Sequence, residues 1–378
     1  MGTSLHSVDS LDPSRRVSDS RPKRLSALVA SLTAAHLDGL LVSSLPNIRY
    51  LTGFSGSSAL LFVTPRDAVI VTDFRYQTQI RDEVAGLARI VIEAASLWAG
   101  LWQQLAQLGH LEVLGFESAH VIHRDFQRLL EAGARWQWRP TLDLVETLRE
   151  RKDAREVALI EAAGAIATRA LERTLPQVRG GMTELQVAGA LEKALRDEGS
   201  EGFPFPSIVA SGPRSALPHA RSSSRRIEAG DLLLLDFGAE TGGYCADITR
   251  TVVVGRAASE QRQVYDVVRG AQESATRGVR AGMTGKDADA IARDYIAERG
   301  YGELFGHSLG HGLGLEVHEA PRLAKTSEGS LAEGAVVTIE PGIYRPGWGG
   351  VRIEDDVLID VSGARILTQF TRDLLELA

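Results

Sequence analysis

The second half of the chain repeats itself, and this repeat constrains the fold more than any other feature. The tripeptide Gly-Met-Thr occurs at 181–183 and again at 282–284, and each copy begins an amphipathic segment that ends at a glycine. The segment 227–238 (IEAGDLLLLDFG) likewise parallels 331–342 (LAEGAVVTIEPG). Solenoids need three or more repeats to bury a core. Two copies of a helix, loop and hairpin unit therefore predict a closed domain with a pseudo-two-fold axis and a shared cleft.

The length of 378 residues exceeds the size at which a single hydrophobic core stops growing, so two domains are expected. Upstream of the repeat, helical patterns alternate with short apolar strands such as 38–44 and 59–64, which is typical of an α/β unit. Asp153 and Glu156 are spaced as a capping pair at the start of a helix, which indicates a boundary near residue 150. We predict a loose tail (1–22), an N-terminal α/β domain (23–150) and a second domain (151–378).

Composition excludes several classes of protein. A net charge of −7 offers no broad cationic surface, so nucleic acid is not a predicted partner. The single cysteine, Cys245, cannot form an internal disulfide, and no apolar run approaches the roughly 18 residues that span a bilayer. The polar, serine-rich N-terminus lacks the apolar core of a signal peptide. We therefore predict a cytoplasmic protein that does not bind membranes.

Each repeat contains a hairpin that carries two acids. Asp236 ends the run LLLLD, and the chain returns as ADITRTVVV; a two-residue loop at Thr241-Gly242 would set Asp236 opposite Asp247. In the second repeat, a three-residue loop centred on Gly347 would set Glu340 opposite Glu354. Like charges that face each other on buried strands are destabilising, so another group must compensate them.

The stretch 304–319 (LFGHSLGHGLGLEVHE) adds further metal-binding candidates, because it holds three of the nine histidines, His307, His311 and His318. Four carboxylates and a histidine could bind two divalent cations with a bridging hydroxide, which is a hydrolytic centre. Oxygen-rich ligation favours harder ions such as Mn²⁺. Alternatives are a shared proton in each acid pair, ladder or turn roles for single aspartates, and a structural histidine. The joint pattern in two related hairpins favours the metal centre.

These segments resemble the pita-bread metallopeptidases, a family that includes methionine aminopeptidase, aminopeptidase P and prolidase. The resemblance covers about residues 150–378 and implies an α/β (α+β) chain with a pita-bread catalytic domain behind a smaller creatinase-like α/β domain. It also implies two divalent ions, Mn²⁺ with Co²⁺ or Zn²⁺ as alternatives, and assigns five ligands: Asp236, Asp247, His311, Glu340 and Glu354.

The N-terminal segments 47–63 and 72–76 are similar to the corresponding parts of aminopeptidase P and small prolidases, which points to the proline-specific branch. We predict an Xaa-Pro aminopeptidase that cleaves before a proline in peptides, with an Xaa-Pro dipeptidase (prolidase) as the alternative. Relatives with two such domains commonly pair, so a homodimer is expected. Two rivals have the same fold: a metal-free enzyme like creatinase and a non-catalytic binding module. The intact acid set argues against both.

The resemblance also implies functional roles beyond metal binding. Glu340 would shuttle a proton, and His219 and His318 would donate hydrogen bonds to the substrate and the developing oxyanion. Because a prolyl bond has no amide N–H, recognition must rely on shape, and we predict three substrate-binding residues: His307, Arg322 and Arg352. Either arginine could instead balance the acids. A free carboxylate on the proline would pair with a cation such as Arg322, as in prolidases.

Overall fold

The structure is a computed structural model that describes residues 19–378. Residues 1–18 of the predicted tail lie outside the described residues. The last two residues of that tail, Arg21 and Pro22, are part of a helix instead, because proline is well suited to the first turn of a helix. No helix within residues 19–378 has both the length and the apolar character needed to cross a membrane.

The N-terminal part is a six-stranded mixed sheet with helices on both faces, in the strand order β4-β3-β2-β1-β5-β6. Neighbouring residues of β1 point to opposite faces, so Leu40 packs in one apolar cluster and Leu41 in the other. The predicted strands within 38–44 and 59–64 are confirmed. The elements are α1 (Arg21–Ala34), β1 (Gly39–Val42), α2 (Leu45–Thr52), β2 (Ala59–Val63), β3 (Ala68–Asp73), α3 (Gln79–Val84), β4 (Arg89–Glu93), α4 (Leu97–Leu105), β5 (Val113–Glu117), α5 (His123–Glu131), β6 (Gln137–Thr141) and α6 (Glu146–Arg149).

The C-terminal part contains four long helices, a four-stranded sheet in the order β17-β9-β8-β7, a five-stranded sheet in the order β11-β10-β12-β15-β16, and the small hairpin β13-β14. The elements are α7 (Ala154–Thr174), α8 (Glu184–Asp197), β7 (Ile208–Ser211), β8 (Leu232–Thr241), β9 (Tyr244–Val254), α9 (Ser259–Gly278), α10 (Gly285–Ala297), β10 (Gly310–Gly312), β11 (Glu319–Leu323), β12 (Val336–Ile339), β13 (Gly342–Arg345), β14 (Gly349–Arg352), β15 (Asp355–Asp360), β16 (Gly363–Ile366) and β17 (Glu376–Leu377).

The predicted internal repeat is present in the structure. Thr183 caps α8 and Thr284 caps α10, in each case through a side-chain oxygen that accepts a backbone N–H. Each threonine also forms a single β-bridge to the segment that leads into its own hairpin, Thr183 to Arg226 and Thr284 to Ser330. Helices α7 and α8 cover one sheet, and α9 and α10 cover the other. The fold is the predicted mixed α/β arrangement of two similar halves.

Alternation along the central strands directs the acids away from the helices. In β8, Leu233, Leu235 and Phe237 pack in the apolar cluster under α7 and α8. Asp236 lies between them in sequence and therefore points to the opposite face of the sheet. That face borders the cleft between the two halves, so an apolar strand can carry a buried carboxylate without placing it in the core.

The two parts of the chain are joined at the start of α7. The predicted capping box is confirmed, since Asp153 accepts from the backbone N–H of Glu156, and Glu156 accepts from that of Asp153. Arg24 of α1 donates to Asp153 at 2.6 Å and lies 3.0 Å from a carboxylate oxygen of Glu156. The hydroxyl of Tyr244, from β9, donates to the other oxygen of Glu156 at 2.8 Å. A helix terminus, the first helix and the central hairpin therefore meet at one polar cluster.

Candidate metal centre

A cleft of about 900 Å³ lies between the two halves, and all five predicted ligands line it. Asp247, His311 and Glu354 offer ligand atoms that lie within 4.8 Å of one another. Glu340 is close to this group, with Oε1 3.5 Å from His311 Nε2. Asp236 also faces the cleft, but its carboxylate accepts a hydrogen bond from Arg352. The structure thus brings the two acid pairs and His311 together in one region of the cleft, which we call its floor.

The two hairpins differ in how well their predicted registers agree with the structure. In the second hairpin, Gly342 pairs with Arg352 and Ile339 with Asp355, which is the register that sets Glu340 opposite Glu354. The first prediction was wrong by two residues: Asp236 pairs with Thr249, and Asp247 pairs with Gly238. Asp236 and Asp247 are therefore not directly opposite each other. They are diagonal neighbours on one face of the sheet, and residues in this relation are about 7–8 Å apart.

The loop residues explain this shift. The hairpin turns at Gly242 and Gly243, which have φ values of +56° and +79°. A two-residue hairpin loop with positive φ at both positions strongly favours glycine. Thr241 therefore belongs to the strand, where it pairs with Tyr244.

His311 has two ring nitrogens in different surroundings. Nδ1 lies 3.0 Å from the carbonyl oxygen of Gly312, which can only accept, so Nδ1 carries the proton. Nε2 therefore has a free lone pair, and it faces Asp247 Oδ2 at 3.8 Å and Glu340 Oε1 at 3.5 Å. Burial, followed by the nearby His318, lowers the pKa of His311 to about 4 and keeps the ring neutral. This is the protonation state of a metal-binding imidazole.

The glycines on both sides of His311 have a steric purpose. A Cβ atom on Gly310 would lie 2.0 Å from the carbonyl oxygen of Thr338, and one on Gly312 would lie 2.1 Å from that of Ala320. Strand β10 is thus flanked closely by β12 and β11. Any larger residue would push the neighbouring strands away from His311.

The charges of the floor suit divalent cations. Burial, reinforced by neighbouring carboxylates, raises the pKa values of Asp247 and Glu354 well above their usual range. Asp247 Oδ1 is buried without a hydrogen-bond partner among the described residues. A cation bound between these oxygens would offset both the repulsion and the missing partner. Four carboxylates and one imidazole fit hard or borderline divalent ions.

Arg352, which also lines the cleft, balances part of this negative charge. Its buried guanidinium donates to Asp236, to Thr249 Oγ1 at 3.0 Å and to the hydroxyl of Tyr344 at 2.9 Å. The predicted role of Arg352 in substrate binding is thus less well supported by this geometry than its alternative, the balancing of the acids.

His307 is likewise committed to protein partners. Nδ1 lies 2.8 Å from the carbonyl oxygen of Ser308, and Nε2 lies 2.8 Å from the hydroxyl of Tyr344. Burial, with Arg352 next, lowers the pKa of His307 to about 4, so the ring is neutral and Nε2 accepts from Tyr344. His307 therefore lines the cleft with its ring, while Nδ1 is bonded to the backbone of Ser308 and Nε2 to Tyr344.

Three predicted residues remain available at the cleft wall: His219, His318 and Arg322. The ring centroids of His318 and His311 are 4.4 Å apart, and the ring planes are inclined at 66°. Arg322 of β11 lies directly opposite His311 of β10. Among residues 19–378, Arg322 takes part in no ion pair, whereas Arg352 is paired with Asp236. The facing wall is apolar and includes Leu185, Ala188, Phe205 and Ile208.

Sequence reasoning did not single out three residues that support the ligands. Thr249 donates to Glu354, Thr338 accepts from the backbone N–H of His311 at 3.1 Å, and Tyr344 connects His307 to Arg352. Strand alternation could have identified the two threonines, because each lies two residues from a predicted acidic ligand. No sequence signal indicates the contact of Tyr344 with His307, which depends on the packing of separate loops.

Cys245 lies next to the centre but not in it. Its side chain is buried, and its backbone N–H donates to the carbonyl oxygen of Gly314 at 2.8 Å. This bond connects β9, which carries Asp247, to the loop after His311.

Comparisons with known proteins agree with this geometry. The sequence matches Metallopeptidase family M24 over residues 158–360 and the Creatinase/Prolidase N-terminal domain over residues 24–151. An Xaa-Pro dipeptidase from Bacillus anthracis is 41% identical with a TM-score of 0.91, covering 94% of this chain and 100% of that one. An X-Pro aminopeptidase from Thermotoga maritima MSB8 is 37% identical with a TM-score of 0.87, covering 93% and 99%. The Xaa-Pro dipeptidase of Pyrococcus horikoshii is 36% identical over 355 residues, covering 93% of this chain and 99% of that protein.

Proposed function

Because the chain belongs to metallopeptidase family M24, we propose that it is a metal-dependent Xaa-Pro dipeptidase. The predicted resemblance to the proline-specific pita-bread metallopeptidases is confirmed, and the chain is a hydrolase of that family. Of the two predicted activities, the alternative is better supported than the Xaa-Pro aminopeptidase, because the similar proteins include Xaa-Pro dipeptidases from Pyrococcus and Bacillus anthracis and several solved prolidases. The supporting observation in the structure is Arg322, a cation without an acidic partner among the described residues, opposite His311.

The position of Arg322 suits the carboxylate of a dipeptide. In an Xaa-Pro dipeptide, the free carboxylate is only one residue beyond the bond to be cleaved, so its cationic partner must be close to the metal centre. Arg322 meets this condition, since it faces His311 across two paired strands. A guanidinium can bind a carboxylate through two parallel hydrogen bonds. A longer peptide would place an uncharged amide there and would leave the cation unpaired.

We propose that Asp236, Asp247, His311, Glu340 and Glu354 hold two divalent ions, and that Mn²⁺ suits this oxygen-rich donor set. Such ions polarise a carbonyl group and activate water near neutral pH. Asp247, His311 and Glu354 would form the centre of this donor set, because their ligand atoms lie within 4.8 Å of one another.

The remaining residues act on the substrate and on protons. The carboxylate of Glu340 would accept a proton from the attacking water. It would then pass this proton to the prolyl nitrogen, which becomes the leaving amine. His219 and His318 would donate hydrogen bonds to the oxygen that becomes negatively charged and to the substrate carboxylate. The apolar wall would accept the side chain before proline, and the pyrrolidine ring would be recognised by shape.

The test compares an Xaa-Pro dipeptide with the corresponding Xaa-Pro amide. The wild-type protein should prefer the free acid. Arg322→Met should lower kcat/KM for the dipeptide about tenfold to hundredfold, because a hydrogen bond to a charged group is worth about 1.5–3 kcal/mol. The amide serves as the internal control and should be cleaved equally by both proteins. A wild-type preference for Xaa-Pro-Yaa tripeptides over dipeptides would restore the aminopeptidase assignment.

The predicted homodimer, the Mn²⁺ preference and the cytoplasmic location stay predictions. Light scattering of the purified protein tests the dimer, and metal analysis of protein purified without added metal tests the ion. Fractionation of cells that produce the protein tests the location.

A further inference from the structure

A buried polar cluster lies at the start of β11, directly after the loop that connects His311 to His318. Glu319, the residue after His318, has a side chain that is only 6% exposed, and it lies between Arg149 and Lys152. Arg149 Nη2 donates to Glu319 Oε1, and Lys152 Nζ donates to Glu319 Oε2 at 3.2 Å. Glu319 Oε1 also accepts the backbone N–H of Glu316 at 2.9 Å. The carboxylate thereby ties the start of β11 to the backbone of Glu316, on the other side of His318.

The same cluster continues into the N-terminal domain. Arg149 Nη1 donates to Asn47 Oδ1 at 2.7 Å, and Asn47 Nδ2 donates to Glu117 Oε1 at 2.7 Å. Asn47, Glu117 and Arg149 are all buried. One continuous chain of hydrogen bonds therefore runs from β5 of the N-terminal domain to the residue that follows His318.

The segment before His318 has little freedom to adjust. Gly314 leaves no room for a side chain, because its Cβ would lie 2.9 Å from Glu319 Oε2 and 3.1 Å from Lys152 Cε. Its carbonyl oxygen accepts from the backbone of Cys245, and the backbone N–H of Leu313 donates to Val336. Loss of the ion pair at Glu319 would therefore shift the start of β11, and with it His318, which directly precedes Glu319.

Stability alone is a weak reason for this arrangement. Buried ion pairs lose much of their attraction to desolvation and are often no better than apolar residues of the same size. Both cations of the cluster contact the one carboxylate that directly follows His318 in the chain. This placement is explained if the ion pairs fix the position of His318.

We propose that Arg149 is a positioning residue that holds His318 in its working orientation through Glu319, so that the N-terminal domain supports catalysis within its own chain. This proposal rests on the proposed function, in which His318 donates a hydrogen bond to the substrate. Arg149 itself does not touch the cleft: its partners are Asn47, Glu316 and Glu319.

The first experiment replaces Arg149 by methionine, which keeps much of the length and removes the donors. We expect kcat for an Xaa-Pro dipeptide to fall about tenfold to hundredfold, as is typical for residues that orient functional groups in metal sites, with KM and Mn²⁺ affinity changed less than threefold. Arg149→Lys should recover part of kcat. If Arg149→Met does not fold, Glu319→Gln, which keeps the shape of the side chain, should show the same pattern more weakly.

Arg24→Met is the matched control. Arg24 also joins the domains, through Asp153 and Glu156, but it does not contact the segment before His318. We expect this variant to lose stability and to keep kcat within twofold of the wild type. An equal fall of kcat in Arg24→Met and Arg149→Met would overturn the proposal, because the effect would then come from domain docking.

A double-mutant cycle with His318→Ala tests the route. If Arg149 acts through His318, Arg149→Met should lower kcat less than twofold in the His318→Ala background; a full further loss would overturn the proposal.

Amide hydrogen exchange in metal-free proteins tests the positioning of His318 without measuring activity. Residues 313–319 should exchange at least fivefold faster in Arg149→Met than in Arg24→Met or the wild type, and equal exchange would overturn it. Inactivity of the wild-type protein toward Xaa-Pro dipeptides would contradict the proposed function alone.

Discussion

Single residues decide whether the cleft can hold metal, and substitution of Asp247 tests this most directly. It belongs to the cluster with His311 and Glu354, and one of its oxygens has no hydrogen-bond partner among the described residues. Its other oxygen, Oδ2, faces the free lone pair of His311 Nε2 at 3.8 Å, so both oxygens are available to a cation.

We predict that Asp247→Ala loses both metal binding and peptidase activity. Mn²⁺ at 100 times its Kd should raise the free energy of unfolding of the wild-type protein by about 2.7 kcal/mol and leave that of the variant nearly unchanged. Urea unfolding with and without Mn²⁺, together with metal analysis of the purified variant, measures both effects. Full metal occupancy in Asp247→Ala would remove this residue from the site.

His318→Ala should separate metal binding from turnover. The variant should keep its metal, because His318 is absent from the cluster of closest ligand atoms, and it should lower kcat about 100-fold to 1,000-fold through loss of a hydrogen bond to the developing charge. Metal analysis and steady-state kinetics on one preparation test this. Unchanged turnover would exclude His318 from catalysis.

At this scale, the sequence revealed which residue types lie together but not how each is oriented. The four acids and His311 could be proposed because hairpins and repeats relate their positions. The contact of Arg352 with Asp236 could not, since the arginine was equally consistent with binding a substrate. Side-chain direction across a cleft depends on the packing of both halves, which one strand pattern does not contain.

At the scale of elements, β10 is the most constrained strand of the site. It is three residues long, lies between β11 and β12, and has an irregular register between His311 and Gly312. The backbone atoms that approach Gly312 belong to Ala320 and Pro321, within the strand that also carries Arg322.

We predict that Gly312→Ala lowers the free energy of unfolding by about 1–3 kcal/mol, because the new methyl group must displace backbone rather than a flexible side chain. Gly306→Ala is the matched control, since a Cβ there meets nothing within 4 Å, and its effect should stay within about 0.5 kcal/mol. Urea unfolding of the two metal-free variants measures the difference. Similar losses of unfolding free energy in Gly312→Ala and Gly306→Ala would show that β11 moves freely away from β10.

The hairpins show what limits prediction of register. The second hairpin was predicted correctly because its three-residue loop is centred on a glycine, Gly347, with φ of +78°. The first was misplaced by two residues because two adjacent glycines follow Thr241, and the loop was assigned one residue too early. Turn chemistry contained the answer, since both loop positions require positive φ. A shift by two residues keeps the acids on one face, so the metal-centre prediction survived the error.

At the scale of the whole molecule, the junction at α7 connects the first helix to the catalytic domain. Burial alone would raise the pKa of Asp153, but hydrogen bonds from Ser20, the backbone of Glu156 and Arg24 outweigh burial and lower it to about 2. A carboxyl with a lowered pKa in the folded state stabilises the protein above its unfolded-state pKa, and this contribution is lost as the pH falls toward the folded-state pKa.

We therefore predict that Asp153→Asn lowers the free energy of unfolding by about 1–2 kcal/mol at pH 7, as expected for a helix cap that also forms an ion pair. The difference from the wild type should shrink as the pH falls from about 4 toward about 2. Urea unfolding of the metal-free proteins at pH 7, 5 and 3 tests this, because loss of metal then makes no contribution. A difference that is the same at all three pH values would contradict the assignment.

The two-part architecture could be predicted from length, composition and the repeat, whereas the contacts between the parts could not. Asn47, Arg149 and Glu319 are separated by about a hundred residues or more along the chain, and none belongs to a motif that signals pairing. Their contact results from how the domains pack, which is specified by many apolar residues at once. Sequence patterns report on periodicity within an element and say little about polar contacts between distant elements.

The single buried thiol has a practical consequence. Cys245 is enclosed by β9 and the loop after His311, so a maleimide dye has no reactive target among the described residues while the protein is folded. A cysteine introduced at an exposed position such as Val361 would be labelled alone, without removal of the native residue. Pairs of such positions, one in each domain, would allow fluorescence energy transfer to follow domain movement during turnover.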